Sequence, residues 1–239
     1  MKAKAKTRRR YRRGQERARE ILDAAIELFA EHGLATSLQR IADHIGVTQP
    51  LLHRYYPTKA DLIAAVKKEL QQGHWHPEWK CMLTDRSRPL RQRLCELYVD
   101  YLPLIYRRTW YRAFFLVALE DGAFARIYLR KVSQQLLGTI IAETRHDLGL
   151  PGLPARPISI RELELAWGMH STFVFIGMRR FIYNMPLPED LAAVIRDQVR
   201  GYLRSAVTVM AESVAAGGKK RRRQPRLRAA AALKFVSRG

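Results

Sequence analysis

Cysteine is scarce in this sequence, which argues against a small secreted domain held together by disulfides. Only two cysteines, Cys81 and Cys95, occur among 239 residues. Two thiols are too few for a disulfide framework and are compatible with a reducing compartment. We therefore expect a cytoplasmic protein that is stabilised by its hydrophobic core, because 47% of its residues are hydrophobic and a chain of this length can bury a large core.

Long hydrophobic runs are also missing. The longest stretch without Lys, Arg, Asp or Glu is Leu165–Met178, which has 14 residues and includes His170, whereas a helix that spans a membrane needs roughly 18. The basic N-terminus is not followed by an apolar segment, as a secretion signal would require. We expect no membrane among the partners of this protein.

Recognisable catalytic motifs are absent as well. The sequence has no nucleophile elbow, paired-carboxylate motif, phosphate loop or glycine-rich dinucleotide turn, so we expect neither an enzyme nor a cofactor. One segment holds four residues of metal-ligating type: His74, His76, Glu78 and Cys81. A proline and two tryptophans interrupt this segment and no second cluster completes a tetrahedral site, which favours a loop over a metal site.

Strand-like alternation is absent, and the pattern of apolar residues is helical throughout, which predicts an all-α fold. Beyond residue 57, we predict helices near residues 58–72, 88–106, 109–120, 123–148, 159–184 and 188–215. We expect Pro103 to kink or split the second of these, because proline removes a helical hydrogen bond. The sharpest helix breaks are predicted at residues 149–157 and 185–188, which are rich in proline.

Residues 37–56 have the pattern of two short helices joined by one glycine. Ser37 is suited to cap the first helix, whose apolar positions follow helical spacing: Leu38, Ile41, Ala42 and Ile45. Ala42 is small enough for a second helix to cross closely, and Gly46 can adopt the positive φ that often ends a helix. The pattern indicates a helix-turn-helix.

The second helix of this pair has one apolar and one polar side. Thr48 is a suitable cap, Pro50 is tolerated in the first turn, and Leu52 is expected to point at the core. The remaining side chains are hydrogen-bonding types that can contact base edges in a major groove. The candidate DNA-binding residues are Thr36, Ser37, Gln39, Arg40, Thr48, Gln49, Pro50, His53, Arg54, Tyr55 and Lys59. Taken alone, the pattern also fits a purely structural helical hairpin.

The sequence around this pair resembles the N-terminal DNA-binding domain of TetR-type transcriptional regulators. The matching positions span two motifs, ILDAAIELFAEHG and TSLQRIADHIGVTQPLLHRYYPTKADL. The chain departs from the family pattern in three places: the segment between Gly33 and Ser37 is one residue shorter, His53 replaces a common tyrosine, and Leu51 replaces a small or hydroxylated residue. The identity of the bound DNA site therefore does not carry over.

The resemblance implies a three-helix DNA-binding domain followed by a larger helical ligand-binding and dimerisation domain. It implies a homodimer formed by the last two helices, whose apolar faces are broad, although these faces can also close within one monomer. It also implies a cavity for a small-molecule effector of unknown identity. Our candidates for its lining are Trp110, Phe114, Trp167 and His170.

Positive charge is concentrated at the two ends of the chain, whose formal net charge is +21. Residues 1–13 hold eight Lys and Arg and residues 217–239 hold nine, both without an acid, whereas residues 14–60 hold five basic and six acidic residues. We divide the chain into a disordered basic arm (1–13), a helix-turn-helix domain (14–60), an effector-binding and dimerisation domain (61–216) and a disordered basic tail (217–239). The arm is expected to attract phosphate, although it is also compatible with a merely solvated tail.

Our main hypothesis is a ligand-responsive repressor that binds a palindromic double-stranded DNA operator as a homodimer. A second hypothesis is a sequence-indifferent nucleic-acid organiser in which the basic tails dominate binding. A third is a helical-bundle enzyme. Competition with bulk DNA separates the first two, because a repressor keeps a preference of roughly a thousandfold for its site.

Overall fold

The computed structural model describes residues 2–72 and 76–223, and within them the side chains of residues 14–71 and 76–215. Every regular element in these ranges is helical, which confirms the all-α fold. The helices are α1 (Lys2–His32), α2 (Leu38–His44), α3 (Gln49–His53), α4 (Lys59–Gln72), α5 (Glu78–Thr84), α6 (Leu90–Ile105), α7 (Arg108–Glu120), α8 (Gly122–Lys131), α9 (Gly138–Asp147), α10 (Ile160–Phe181) and α11 (Leu191–Arg223). A π-helical turn, Val132–Leu137, joins α8 to α9.

The predicted helices after residue 57 are present, but two details differ from the prediction. Of the two outcomes expected at Pro103, a kink or a split, the split does not occur. Pro103 lies in the last turn of α6, and the carbonyl that it leaves unbonded belongs to Val99, which is exposed to water. The segment interpreted as a loop contains α5, which buries Trp79 and Leu83. A helix of seven residues with two buried positions is too short to show a clear period.

Both chain ends are more helical than predicted. The arm at residues 1–13 was expected to be disordered, but α1 begins at Lys2. Lys, Arg and Ala are good helix formers and no proline interrupts the segment, so the buried part of α1 can propagate the helix outwards. Helix α11 likewise extends to Arg223, beyond the predicted start of the tail at residue 217. Residues 224–239 lie outside the described residues.

The first four helices pack around a core that continues into the rest of the protein. Ile21, Phe29, Ile41 and Leu52 are completely buried there, and helix α7 packs along α1. One hydrophobic cluster therefore runs from α1 to α11, so α1–α4 are in direct contact with the helices that follow.

A buried ion pair fixes the proline-rich break before α10. Arg145 and Glu162 are both fully buried, and their side chains approach to 2.7 Å. Arg145 also donates to the carbonyl oxygens of Arg156 and Pro157, at 2.7 and 3.1 Å. The buried guanidinium thus has hydrogen-bond acceptors for its donors, and these bonds hold the segment of residues 149–157 against α9 and α10.

None of the helices in the described ranges combines the length and the apolar character that crossing a lipid bilayer requires.

Candidate DNA-binding surface and ligand cavity

The turn between α2 and α3 has the geometry that the sequence predicts. Gly46 has a φ of +66°, which glycine adopts at little cost. The N–H of Val47 donates to the carbonyl of Ala42 at 2.9 Å, and Ser37 Oγ caps α2 by accepting from the N–H of Arg40 at 3.1 Å. Thr48 precedes α3 but its side chain makes no capping hydrogen bond. Backbone geometry therefore positions α3.

Helix α3 has a buried side and an open side. Leu52 is completely buried, whereas Arg54 is exposed and Gln49 and His53 are half-buried. This is the arrangement that a contact with a base edge requires, since the polar side chains remain accessible while the apolar one anchors the helix.

Gln49 and His53 are held in place by hydrogen bonds. His53 Nδ1 lies 2.8 Å from the carbonyl oxygen of Pro57, and because a carbonyl only accepts, Nδ1 carries the proton. In a neutral imidazole, Nε2 is then an acceptor, and it accepts from the Gln49 amide at 3.3 Å. The amide oxygen of Gln49 keeps its capacity to accept a bond from a base.

The start of α4 completes this surface. Thr58 and Asp61 cap each other, since Asp61 Oδ2 accepts from the Thr58 N–H at 3.0 Å and Thr58 Oγ1 accepts from the Asp61 N–H at 3.1 Å. This exchange fixes Lys59 in the first turn, where its side chain is half-buried. Tyr55 is also half-buried and packs against the core.

The remaining candidate DNA-binding residues differ in their exposure to solvent. Pro50 is exposed in the first turn of α3, and Gln39 and Arg40 are exposed on α2. The Gln39 amide donates to Asp43 at 2.6 Å and the Arg40 guanidinium lies 2.8 Å from His32 Nε2. Thr36 is poorly placed for the proposed phosphate contact, because it is 6% exposed and its hydroxyl donates to the carbonyl of Gly33 at 2.9 Å.

Charge is unevenly distributed over the first four helices. Of the six acids in residues 14–60, five lie on α1, where Arg17 and Arg19 are paired with Glu20 and Asp23 at 2.6 and 2.9 Å. The other basic side chains of this segment lie on or beside α2 and α3: Arg40, Arg54 and Lys59. The segment has no net positive charge, but its open side carries the basic groups.

The sequence profile of the bacterial regulatory proteins of the tetR family matches residues 21–66, the stretch that contains this helix-turn-helix. The chain is thus similar to this family over its helix-turn-helix segment. It is 36% identical over 72 residues to an uncharacterized HTH-type transcriptional regulator of Mycobacterium tuberculosis strain H37Rv, a match that covers 30% of this chain. The likeness spans about a third of that relative's length, 31%.

Solved structures of TetR-family regulators share the whole fold. The AmtR protein of Mycobacterium smegmatis is 26% identical, with a TM-score of 0.51 and coverage of 86% of this chain and 94% of that one. A TetR-like transcriptional regulator from Rhodococcus sp. RHA1 has a TM-score of 0.57 at 16% identity, with coverage of 79% and 94%. The second likeness concerns the fold alone.

The protein has a cavity of about 220 Å³ between α6, α7, α8 and α10. All four residues selected from the sequence line it: Trp110 and Phe114 on α7, and Trp167 and His170 on α10. The other walls include Tyr101 on α6 and Tyr128 on α8. No local sequence pattern marks these residues as lining, because they approach the cavity only in the folded chain.

The cavity wall is connected directly to the DNA-binding helices. Arg112, also on α7, donates to the carbonyl of Ala30 in α1 at 2.8 Å. At the other end of α7, Asp121 accepts from Lys67 of α4 at 2.8 Å, which lowers the pKa of the Asp121 carboxyl. Asp121 also caps α8, because its carboxylate accepts from the N–H of Ala123. No local sequence pattern predicts these contacts between helices.

The outward faces of α10 and α11 are smaller than the sequence predicted. Four large residues of α11 are buried within the monomer: Ile195, Val199, Tyr202 and Met210. Their side chains pack inwards because α11 lies against α6 and α10. Phe175 on α10 and Val207 on α11 are 54% and 55% exposed, so each helix still presents apolar surface on its outer side.

Proposed function

We propose that this protein is a transcriptional regulator, most simply a repressor, that binds a palindromic DNA operator as a homodimer in the cytoplasm. The observation that carries the proposal is the open side of α3, where Gln49, His53 and Arg54 are accessible while Leu52 is buried. These residues are assigned to base edges, and Ser37, Tyr55 and Lys59 to phosphates. Basic groups at this surface favour the approach of DNA.

The homodimer is assigned to α10 and α11. Exposed Phe175 and Val207 support this assignment, since large apolar side chains on adjacent outer helices are typical of an interface. In a two-fold dimer, the two α3 helices contact half-sites one helical turn apart, about 34–36 Å. The proposed operator is therefore an imperfect palindrome.

The cavity is assigned to a small-molecule effector. Helix α7 supports this role, because one of its sides lines the cavity and another packs on α1, where Arg112 bonds to Ala30. A ligand that prefers one position of α7 shifts the population of α1 positions, and thereby the spacing of the two α3 helices.

Selection from random DNA tests this proposal. Purified full-length protein is incubated with a random duplex library, the bound fraction is sequenced, and the mass of the complex is measured. We expect an enriched motif with two-fold symmetry and two subunits per duplex. Binding without any enriched motif would instead favour the sequence-indifferent organiser, which is supported only by the basic ends of the chain.

A further inference from the structure

We propose that the cavity takes a small, uncharged, planar aromatic molecule with one hydrogen-bonding group, which contacts His170. This inference rests on the effector role assigned to the cavity above and specifies the chemistry of the ligand. It is carried by three features of the lining: its volume, its lack of charged side chains and the position of its polar groups.

The volume limits the ligand to one or two rings. A cavity of roughly 150 Å³ accommodates benzene, so a space of about 220 Å³ has room for a substituted ring or a fused pair. Its walls are aromatic on several sides. The rings of Trp110 and Phe114 lie nearly parallel, with centroids 5.1 Å apart and an angle of 18°, and Phe114 meets Tyr128 edge-on at 4.7 Å. Flat aromatic walls favour a flat aromatic ligand.

The lining excludes a charged ligand. None of its fourteen side chains is Asp, Glu, Lys or Arg, so a carboxylate or ammonium group would enter without a partner, at a high cost in desolvation. His170 does not supply a charge, because burial lowers its pKa to about 4. Burial also raises the pKa of Tyr128, so that the phenol stays protonated.

Three neutral polar side chains of the lining lie close to one another: Tyr101, Tyr128 and His170. Tyr101 Oη is 3.4 Å from Tyr128 Oη, and the Tyr101 ring centroid is 5.6 Å from that of His170. His170 is oriented from behind by Tyr98, whose Oη lies 3.4 Å from Nδ1. Tyr98 does not line the cavity, which leaves the Nε2 edge of the imidazole as the group that we assign to the ligand. A single hydroxyl or amide on the ligand satisfies this site.

Three probes of the same ring system test the inference: 2-naphthol, naphthalene and 2-naphthoate. Binding to the full-length protein is measured without DNA, by quenching of tryptophan fluorescence and by equilibrium dialysis. We expect 2-naphthol to bind about tenfold more tightly than naphthalene, because of one hydrogen bond in an apolar site, and at least about tenfold more tightly than 2-naphthoate. Equal or tighter binding of 2-naphthoate would overturn the inference.

Substitution of His170 tests the assigned contact. His170→Phe keeps a ring in the wall but removes its nitrogens, so the preference for 2-naphthol over naphthalene should disappear while naphthalene still binds. The matched control is His146→Phe, which changes an exposed histidine of α9 and should keep the preference. An unchanged preference in His170→Phe would contradict the assignment.

The experiments distinguish a failure of the ligand inference from a failure of the proposed effector role. If 2-naphthol binds selectively but does not change the affinity for the selected DNA, the ligand chemistry stands and the effector role of the cavity is wrong. If none of the three probes binds while the protein still binds its DNA site, the ligand inference is wrong and DNA recognition is unaffected.

Discussion

At position 170, the surroundings rather than the residue type determine the charge. An exposed histidine has a pKa near 6.5, but His170 is enclosed by Tyr98, Tyr101 and Trp167, and burial lowers its pKa to about 4. The sequence indicated that this histidine lines a cavity, but not that it is neutral there, because neutrality depends on the packing of α6 against α10.

The lowered pKa predicts a loss of stability in acid. Between about pH 6.5 and pH 4 the unfolded chain binds a proton at position 170 that the folded protein does not, so the free energy of unfolding falls as the pH falls. With about 1.4 kcal/mol per pKa unit, this residue should account for about 2 kcal/mol of the loss between pH 7 and pH 4.5.

Urea unfolding at these two pH values measures the effect. In His170→Phe the loss between pH 7 and pH 4.5 should be smaller than in the wild type by about that amount, while His146→Phe should show the wild-type loss. Equal losses in His170→Phe and the wild type would show that His170 takes up its proton in the folded state as readily as in the unfolded one.

For the polar side chains at α3, the sequence predicts exposure to solvent but not the individual hydrogen bonds. Their accessibility follows from the helical period, which placed Leu52 inside and Arg54 outside. The helical period does not predict the hydrogen bond from His53 to the Pro57 carbonyl, nor the burial of Thr36. Both depend on the path of the backbone after a helix ends, for which the side-chain pattern gives no signal.

At the scale of the elements, α7 connects the cavity to the DNA-binding helices. It contributes Trp110 and Phe114 to the cavity, Arg112 to α1 and Asp121 to α4. Its Tyr111 is buried against α10, where the phenol donates to the carbonyl of Val174. Displacement of this helix would therefore affect the cavity and the DNA-binding helices together.

Gly177 on α10 is predicted to be essential for this packing. A Cβ atom at position 177 would lie 2.6 Å from the Tyr111 ring, and the ring is buried and has little space to move. We expect Gly177→Ala to lower the free energy of unfolding by about 1–3 kcal/mol, as overpacked cores do, even though alanine favours helices by about 1 kcal/mol.

Urea unfolding at neutral pH checks this, with Gly14→Ala as the control. Position 14 also lies within a helix, but an added Cβ meets nothing within 4 Å there, so this variant should be unchanged or slightly more stable. If Gly177→Ala is as stable as the wild type, α7 and α10 are less tightly packed than the structure indicates.

Helices were predictable where they are long and periodic. Six segments after residue 57 were placed near their observed positions, because each buries a continuous apolar face. The short α5 and the π-helical turn between α8 and α9 were missed. Both are defined by tertiary packing, for example by the hydrogen bond of 2.5 Å from Trp79 Nε1 to Asp100, and not by local periodicity.

At the scale of the whole molecule, one hydrophobic cluster connects the DNA-binding helices to the cavity, while most of the net positive charge lies in the two terminal segments. Residues 2–13 of the arm lie in α1, which belongs to the DNA-binding part. In the proposed function, the arm supplies attraction to phosphate and α3 supplies sequence discrimination, since phosphate contacts carry no sequence information.

The central claim is that the open side of α3 discriminates between DNA sequences. It is tested most directly by the ratio of affinities for the selected site and for a shuffled duplex, measured for the wild type and for Arg54→Ala. We predict a wild-type ratio of roughly a thousandfold or more. Arg54→Ala should weaken binding to the selected site by about 1–3 kcal/mol and barely change binding to the shuffled duplex.

Arg130→Ala, at an exposed position of α8, is the matched control and should keep the wild-type ratio. A wild-type ratio near one, or an Arg54→Ala ratio equal to that of the wild type, would contradict the assignment of sequence reading to this helix.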